Sequence, residues 1–476
     1  MEPYHRLTAY RRQGMGGGLM DWSNQPRPFK RYPTAQPRAL GDPRMPPARS
    51  WPSLLAWPPS PDPAAPPLDA PGLAGLLALA AGLTAQSQGG AYLRSPASAG
   101  ALYPVELYFC ATGLGWLADG LWHYAPEANA PRLLRPGNLA AAAARVLGGE
   151  PAGINFFLTS LFWRSAWKYR ARAWRYCLLD GGHLLANLEL ALAACGLGQR
   201  PCLDPAGAAG GGLLGLDPAR EALLAGVGAG AALQDGGPAE LPAWRPPGEE
   251  PLAHHEKSDP VVAKAAALGE SARPGPALAW PREPAPAQAL RLNPGPPDGG
   301  PPLSRVMLSR RSRRNFLPQG LSANQAALLL AAALPAGGPV QAAVLLGPGG
   351  ELPAGAHRYY PDEKALARLE PQDLRGRAAR ACLDQMWVGH AAMNLVLWAD
   401  PEQLAATAGE RGYRQAMLAA GRAGQRLYLA AAALGLGCCG VGAFYDEELA
   451  AAALLPPGAW PLYLLAAGPV KGKLPF

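Results

Sequence analysis

Two stretches of this 476-residue chain align without gaps at an offset of 239 residues, and nothing else in it restricts the fold as tightly. Trp174-Arg175-Tyr176-Cys177-Leu178-Leu179-Asp180-Gly181-Gly182 runs on through Leu188 to Gly196-Leu197-Gly198. It falls on Tyr413-Arg414-Gln415-Ala416-Met417-Leu418-Ala419-Ala420-Gly421, which runs on through Leu427 to Gly435-Leu436-Gly437. Arg175 meets Arg414, Gly182 meets Gly421, Leu188 meets Leu427, Leu190 meets Leu429, and the Gly-Leu-Gly endings coincide. Each stretch reads as a long, largely buried helix stopped by glycine. Upstream, Trp122-His123-Tyr124-Ala125-Pro126 falls on Arg358-Tyr359 and Pro361 at an offset of 235, and Ala99-Gly100-Ala101 on Ala336-Gly337-Gly338 at 237. Three blocks in one order with slowly drifting offsets mark an internal duplication.

A duplication of this length predicts two domains, 1–240 and 301–476, joined by a connector at 241–300. The connector is Pro-rich (Pro242-Ala243-Trp244-Arg245-Pro246-Pro247), with a short helix expected near Val261 to Leu268. The first domain opens with an entry helix followed by an extended, Pro-rich arm to about residue 70. Abundant Ala, Gly (58) and Pro (54) blur propensities, so patterns carry more weight than composition.

Composition excludes several classes. The net charge is +8, but the basic residues are scattered; their one cluster, Ser309-Arg310-Arg311-Ser312-Arg313-Arg314, suits a single phosphate better than a nucleic-acid track. Seven cysteines, odd in number and without C-x-x-C spacing, argue against a zinc site or a secreted disulfide framework. His254 and His255 have no partner at ligand spacing, and no metal is expected. The N-terminus does not begin as a signal peptide, and the apolar run Gly72 to Leu83 is too short to span a bilayer. The expectation is a soluble, cytoplasmic protein without nucleic-acid or membrane partners.

Four motifs carry candidate chemistry. Arg310, Arg311, Ser312 and Arg314 offer guanidinium forks and a hydroxyl, the donors a phosphate dianion needs, although an isolated run of this kind also fits a solvated basic turn. Ser95-Pro96-Ala97-Ser98-Ala99-Gly100-Ala101-Leu102-Tyr103-Pro104 reads as a small-residue turn before a strand from Val105 to Cys110. Its lack of bulk lets backbone approach a flat ring, or it is an ordinary helix-to-strand loop. Gly437-Cys438-Cys439-Gly440-Val441-Gly442-Ala443-Phe444 lacks the dinucleotide G-x-G-x-x-G frame, yet as a loop it can present N–H groups. Its two cysteines fit small buried hydrophobes better than redox centres. Lys168-Tyr169 places a cation beside a phenol, which can lower a pKa from about 10 and open proton abstraction; the same pair also suits a surface. Thr407 and Ala408 stand opposite it in the second half.

Taken together these blocks resemble the nitroreductase superfamily, in the branch of SagB-type azoline dehydrogenases. Tyr4-His5-Arg6-Leu7-Thr8, Asp21-Trp22-Ser23-Asn24-Gln25-Pro26 and Lys30-Arg31-Tyr32-Pro33 look like the opening of tandem members. The 95–104 stretch, Lys168-Tyr169 and Arg175 match the branch, while Arg310-Arg311-Ser312 and the 437–444 segment match the general pattern. The resemblance implies an α+β fold: two nitroreductase-like domains, each a central antiparallel-rich sheet flanked by helices, forming an intramolecular pseudo-dimer. It implies FMN as cofactor, with phosphate held by Arg310, Arg311, Ser312 and Arg314, assisted by Lys471 or Lys473. Gly440 and Gly442 would lie near the flavin ring, and Ser95, Pro96, Ser98 and Gly100 would cover it. Lys168 and Tyr169 would be catalytic, taking a proton from a thiazoline or oxazoline of a modified peptide while hydride passes to the flavin. Peptide-modifying enzymes are then natural partners.

The reciprocal site implied by the duplication looks degraded. Arg11-Arg12-Gln13 has glutamine where serine is expected, Pro335-Ala336-Gly337-Gly338 has no serine, and Gln199-Arg200-Pro201-Cys202 stands in the glycine segment. One FMN per chain is expected. Two alternatives stay open: an NAD(P)H-dependent reductase of nitro, quinone or enone acceptors, and a partly degenerate flavoprotein scaffold in a peptide-modifying complex.

Overall fold

The computed structural model describes residues 1–13, 20–47, 51, 55–246, 248–257, 259–279, 282–295 and 299–472. By compactness the chain divides into two units: residues 19–49 and 59–277, with Met1, form unit 1, and residues 2–18, 50–58 and 278–476 form unit 2.

Unit 1 is built on a six-stranded antiparallel sheet in the order Ala130–Pro136, Gly120–Ala125, Val105–Ala111, Ala152–Leu161, Glu221–Ala232, Gln199–Cys202. Unit 2 repeats that order with Ala365–Glu370, Gly355–Tyr360, Gln341–Leu346, Met393–Ala399, Trp460–Gly468 and Gly437–Val441, and adds Leu290–Arg291 outside the first of these. The duplication read from the helices thus extends to strand order. Central strands such as Val105–Ala111 and Met393–Ala399 are buried along their whole length, and the helices Ala140–Leu147 and Ala173–Ala194 both pack on the first of them.

The two aligned stretches are the helices Ala173–Ala194 and Arg411–Ala433. The first is buried at every position, which requires apolar or internally bonded residues all round rather than on one stripe. Both end alike. Gly196 and Gly435 hold φ of 75° and 73°, and the next residue's N–H reaches back five residues, Leu197 to Leu192 O and Leu436 to Ala431 O. By length and composition Phe162–Ala194 could cross a membrane, a longer apolar stretch than the Gly72–Leu83 run; its most apolar window is wholly buried.

The unit boundaries depart from a simple 1–240/301–476 cut, for identifiable reasons. In unit 2, the N-terminal helix Glu2–Thr8 packs Tyr4 against Tyr413 (6.2 Å) and stacks His5 on Trp460 (4.3 Å). Tyr10 N–H then donates to Asp446 at 3.0 Å. In unit 1, the connector pairs Gly275 with Asp204 and Ser271 with Ala206, and Arg220 grips Glu256 through two nitrogens at 2.7 and 2.8 Å. Its expected short helix is Pro260–Leu268, capped by Asp259. The arm is fastened to unit 1 by Lys30, whose buried amine bonds Glu221 (2.5 Å) and Tyr108 (2.9 Å).

Candidate active site

In unit 1 the candidate residues gather around one turn. Ser95 and Pro96 are buried at its entrance, after the strand Tyr92–Arg94. Then come Ser98 and a short 3-10 turn, Ala99–Ala101. Gly100, Ala101 and Tyr103 all have positive φ (65°, 54° and 46°), a region that L-residues with side chains seldom occupy. Asp180, from the long helix, holds this conformation: Ser98 Oγ donates to it at 2.5 Å and Ala99 N–H at 3.1 Å. Ser98 Oγ also accepts from Tyr103 N–H at 2.9 Å, and Tyr103 Oη from Arg94 N–H at 2.9 Å.

Lys168 and Tyr169 end the helix Phe162–Tyr169, anchored by Trp167, whose indole N–H donates to Asp21 O at 2.7 Å. Both reach the turn. A Cβ on Gly100 would lie 3.0 Å from Tyr169 Oη and 3.1 Å from Lys168 Nζ. Glycine is therefore favoured here by its φ, and a side chain at this position would have to displace the tips of Lys168 and Tyr169. Tyr169 stacks on Tyr176 at 3.9 Å, and Lys168 Nζ lies 5.5 Å from the Tyr169 ring centre. Ser98, Gly100, Lys168 and Tyr169 are thus brought together, whereas Ser95 is fully buried. Burial raises the Asp180 carboxyl to about 7, because the hydrogen bonds from Ser98 and Ala99 only partly offset the loss of water.

In unit 2, the helix Leu303–Ser309 ends at Arg310, and the basic segment runs on beside the edge strand Gly437–Val441. Ser312 bridges to Cys438, and Arg313 N–H donates to Cys438 O at 2.9 Å. Arg310 is buried with its guanidinium 5.4 Å from the Tyr428 ring centre. Arg311 Nη1 donates to Leu308 O and Arg310 O at 3.2 and 2.7 Å. Ser312 and Arg314 are exposed, and the Arg314 guanidinium lies 5.6 Å from the Trp387 ring centre. Lys471 is tied backbone to backbone to Asn315, its N–H donating to Asn315 O at 3.0 Å. Lys473 lies outside the described residues.

The 437–444 segment is not the loop the sequence suggested. Gly437–Val441 is an edge strand paired with Trp460–Gly468, and only 442–445 is loop. Gly440 N–H is bonded internally, donating to Tyr428 Oη at 2.7 Å, and the same oxygen lies 3.0 Å from Ser312 Oγ. Glycine at 440 answers to packing, since a Cβ there would fall 1.9 Å from Tyr463 Oη. Gly442 follows the strand, half-buried. Burial pushes the Tyr428 phenol well above its ordinary range, so it stays neutral and can serve both partners. Cys438 and Cys439 are buried free thiols, raised by burial, as the small-hydrophobe reading expects.

The segments read as a degraded copy are engaged otherwise within their own units. Arg12 binds Glu448 through Nε and Nη2 (3.0 and 2.9 Å) and Asp384 through Nη1 (2.9 Å), all in unit 2. The Gly337-Gly338 turn is held by Arg282, which donates to Gly337 O and Val340 O at 2.5 and 2.8 Å, and by Asp362, which accepts from Gly337 N–H at 2.8 Å. Gln199–Cys202 is an edge strand of unit 1, the counterpart of Gly437–Val441.

Asp180, Tyr428 and Trp387 were not foreseen from sequence. Asp180 carried one usable signal: a carboxylate in a largely apolar helix, with Ala419 at the matching position of the second copy.

The nitroreductase family description matches residues 307–469. A protein of Methanocaldococcus jannaschii, provisionally named a nitroreductase, is 29% identical over 180 residues, covering 35% of this chain and 90% of that protein. A crystal structure from Anabaena variabilis, provisionally described as a nitroreductase, superposes with a TM-score of 0.80 at 25% identity, covering 99% of each chain. Residues 307–469 therefore match the nitroreductase family description, and the chain as a whole is similar in fold to the Anabaena variabilis structure, with the same α+β strand order present in two copies.

Proposed function

We propose that this protein is an FMN-dependent oxidoreductase that dehydrogenates azoline rings of a modified peptide to azoles. The observation that carries the reading is the meeting of Lys168 Nζ and Tyr169 Oη at Gly100. The donor set of unit 2 fits a flavin phosphate. Ser312 and Arg314 are exposed on one short segment, Arg310 and Arg311 adjoin them, and Tyr428 orders that segment without adding negative charge. Lys471 lies beside it through its backbone bond to Asn315. FMN bound there supplies a two-electron acceptor able to take hydride.

A thiazoline or oxazoline becomes aromatic by losing one hydrogen as hydride and one as a proton. Tyr169 is the candidate acceptor for that proton, and Lys168, with its amine near the phenol, favours the ionised form. The small-residue turn at Ser98 and Gly100 leaves room for a flat ring to approach backbone. Aromaticity of the product supplies driving force, so the chain's task is to place the substrate and remove one proton. Dioxygen would serve as the terminal electron acceptor. Enzymes that make the azoline are the partners this reading implies.

A second reading, NAD(P)H-dependent reduction of nitro or quinone acceptors, is favoured by one fact: residues 307–469 match the family without any part of unit 1, where Lys168 and Tyr169 lie. The visible spectrum of the purified chain tests the cofactor, with about one FMN per chain expected. Arg310→Ala and Ser312→Ala should each weaken FMN retention by about tenfold or more. Tyr169→Phe separates the two reactions. It should cut azoline oxidation by about 100-fold while leaving NADPH-driven reduction of a quinone unchanged. Equal loss of both, or of neither, speaks against the azoline reading, and a colourless chain that takes up no FMN sinks both.

A further inference from the structure

Asp180 is a buried carboxyl in the middle of the long helix of unit 1, gripped by donors from a single turn. Ser98 Oγ donates a hydrogen bond to Asp180 and accepts one from Tyr103 N–H, so one side chain closes the turn at both ends. Within it Gly100, Ala101 and Tyr103 hold left-handed backbone, a conformation that persists only where surroundings enforce it. The outer side of that turn is what Lys168 and Tyr169 abut. The duplicated half provides a comparison. Ala419 stands where Asp180 does, Thr407 and Ala408 stand where Lys168 and Tyr169 do, and the corresponding turn is held by Arg282 and Asp362 instead. Carboxylate and Lys-Tyr pair occur together in one copy and are replaced together in the other.

We propose that Asp180 is a positioning residue for the proton-handling pair: by gripping Ser98 and Ala99 it sets the turn whose Gly100 packs against Lys168 Nζ and Tyr169 Oη. The inference rests on the reading of Lys168 and Tyr169 given above. It also makes the site's geometry sensitive to pH. The groups around Asp180 are Ser98 and Ala99 on the turn, Cys177 one turn back on its own helix, and Lys168 and Tyr169 beyond Gly100. Among the described residues Asp180 forms no ion pair, and burial brings its titration to about 7. The ionised carboxylate holds both donors by charge-assisted bonds, so the grip tightens as pH rises through that value.

The test uses the full chain loaded with FMN. The readouts are oxidation of a short synthetic peptide bearing one thiazoline ring, followed from about pH 5.5 to 9, and amide hydrogen exchange across 98–103. Asp180→Ala should speed exchange at Ala99 and Tyr103 and lower kcat by about tenfold, with KM changed less than about threefold and FMN absorbance kept. Asp180→Asn, the more conservative change, should retain more of kcat yet lose the rise in activity around pH 7. Unchanged exchange in Asp180→Ala overturns the proposal. So does unchanged kcat in that variant when Lys168→Ala lowers it. If instead Lys168→Ala and Tyr169→Phe both turn over normally, the reading of the pair fails and the positioning role falls with it. If the native chain oxidises no thiazoline, the functional reading fails by itself, and unchanged exchange in Asp180→Ala still overturns the clamp.

Discussion

One phenol oxygen in unit 2 serves two partners that are far apart in sequence. Tyr428 Oη accepts the Gly440 N–H of the edge strand and lies within hydrogen-bond reach of Ser312 on the basic segment. Tyr428→Phe keeps the ring and its packing but removes that oxygen, leaving a part-buried N–H without its acceptor. The expected cost is about 1–3 kcal/mol in urea unfolding of unit 2, together with weaker FMN retention as Ser312 loses its fixed orientation. A loss in stability with unaltered FMN retention would separate the strand's need for Tyr428 from that of Ser312. The arginines and serine at 310–314 are recognisable in sequence because their chemistry is contiguous. Tyr428 and Asp180 are not, because each acts through a contact more than 80 residues away along the chain. The helices that carry them are buried on nearly all sides, so no polar stripe marks the residues that matter.

At the level of elements, the paired helices, the strand from Val105 and the connector helix are legible because period, glycine stops and an aspartate cap act locally. Gly437–Val441 reads as a loop because glycine is rare in strands. The sheet accepts it since Tyr463, on the adjacent strand, occupies the space a side chain at 440 would need. The reach of the N-terminal segments is likewise invisible locally. Residues 50–58 join unit 2 through Trp57, whose ring lies 3.8 Å from the Arg426 guanidinium carbon and whose indole N–H donates to Ala332 O at 3.3 Å. Arg426 itself is buried and bonds Ala332 O and Ala56 O, both at 2.9 Å. Trp57→Ala removes the aromatic face from over a buried cation and is expected to cost unit 2 about 3 kcal/mol. In a thermal scan, a fall confined to the transition reported by unit 2 supports this; an unshifted scan means the segment only lies alongside.

For the molecule as a whole, Asp180 is one source of pH-dependent stability, and His357, which burial holds below its ordinary range, acts in the opposite direction. The Asp180 carboxyl holds a proton up to about 7 when folded but only to 3.8 when unfolded. At this group the folded state therefore binds more protons between those values, and the contribution of Asp180 to stability falls as pH rises from about 4 to about 7. Asp180→Asn has no such slope. Relative to the native chain it should gain roughly 2–3 kcal/mol between pH 5 and pH 8 in urea unfolding of unit 1, and a difference independent of pH would refute the assignment. The division of the chain also has a consequence for its synthesis. Tyr10 and Asp446 are joined by a hydrogen bond within unit 2 although 436 residues separate them. At about 5–20 residues per second, the N-terminal helix leaves the ribosome roughly 20–90 s before the strand and helix it packs on. During translation, unit 1 can be complete while the opening segment of unit 2 is still waiting for the rest of its own domain. A ribosome stalled once residue 277 has cleared the exit tunnel should therefore carry a protease-resistant unit 1 while residues 2–18 stay cleavable.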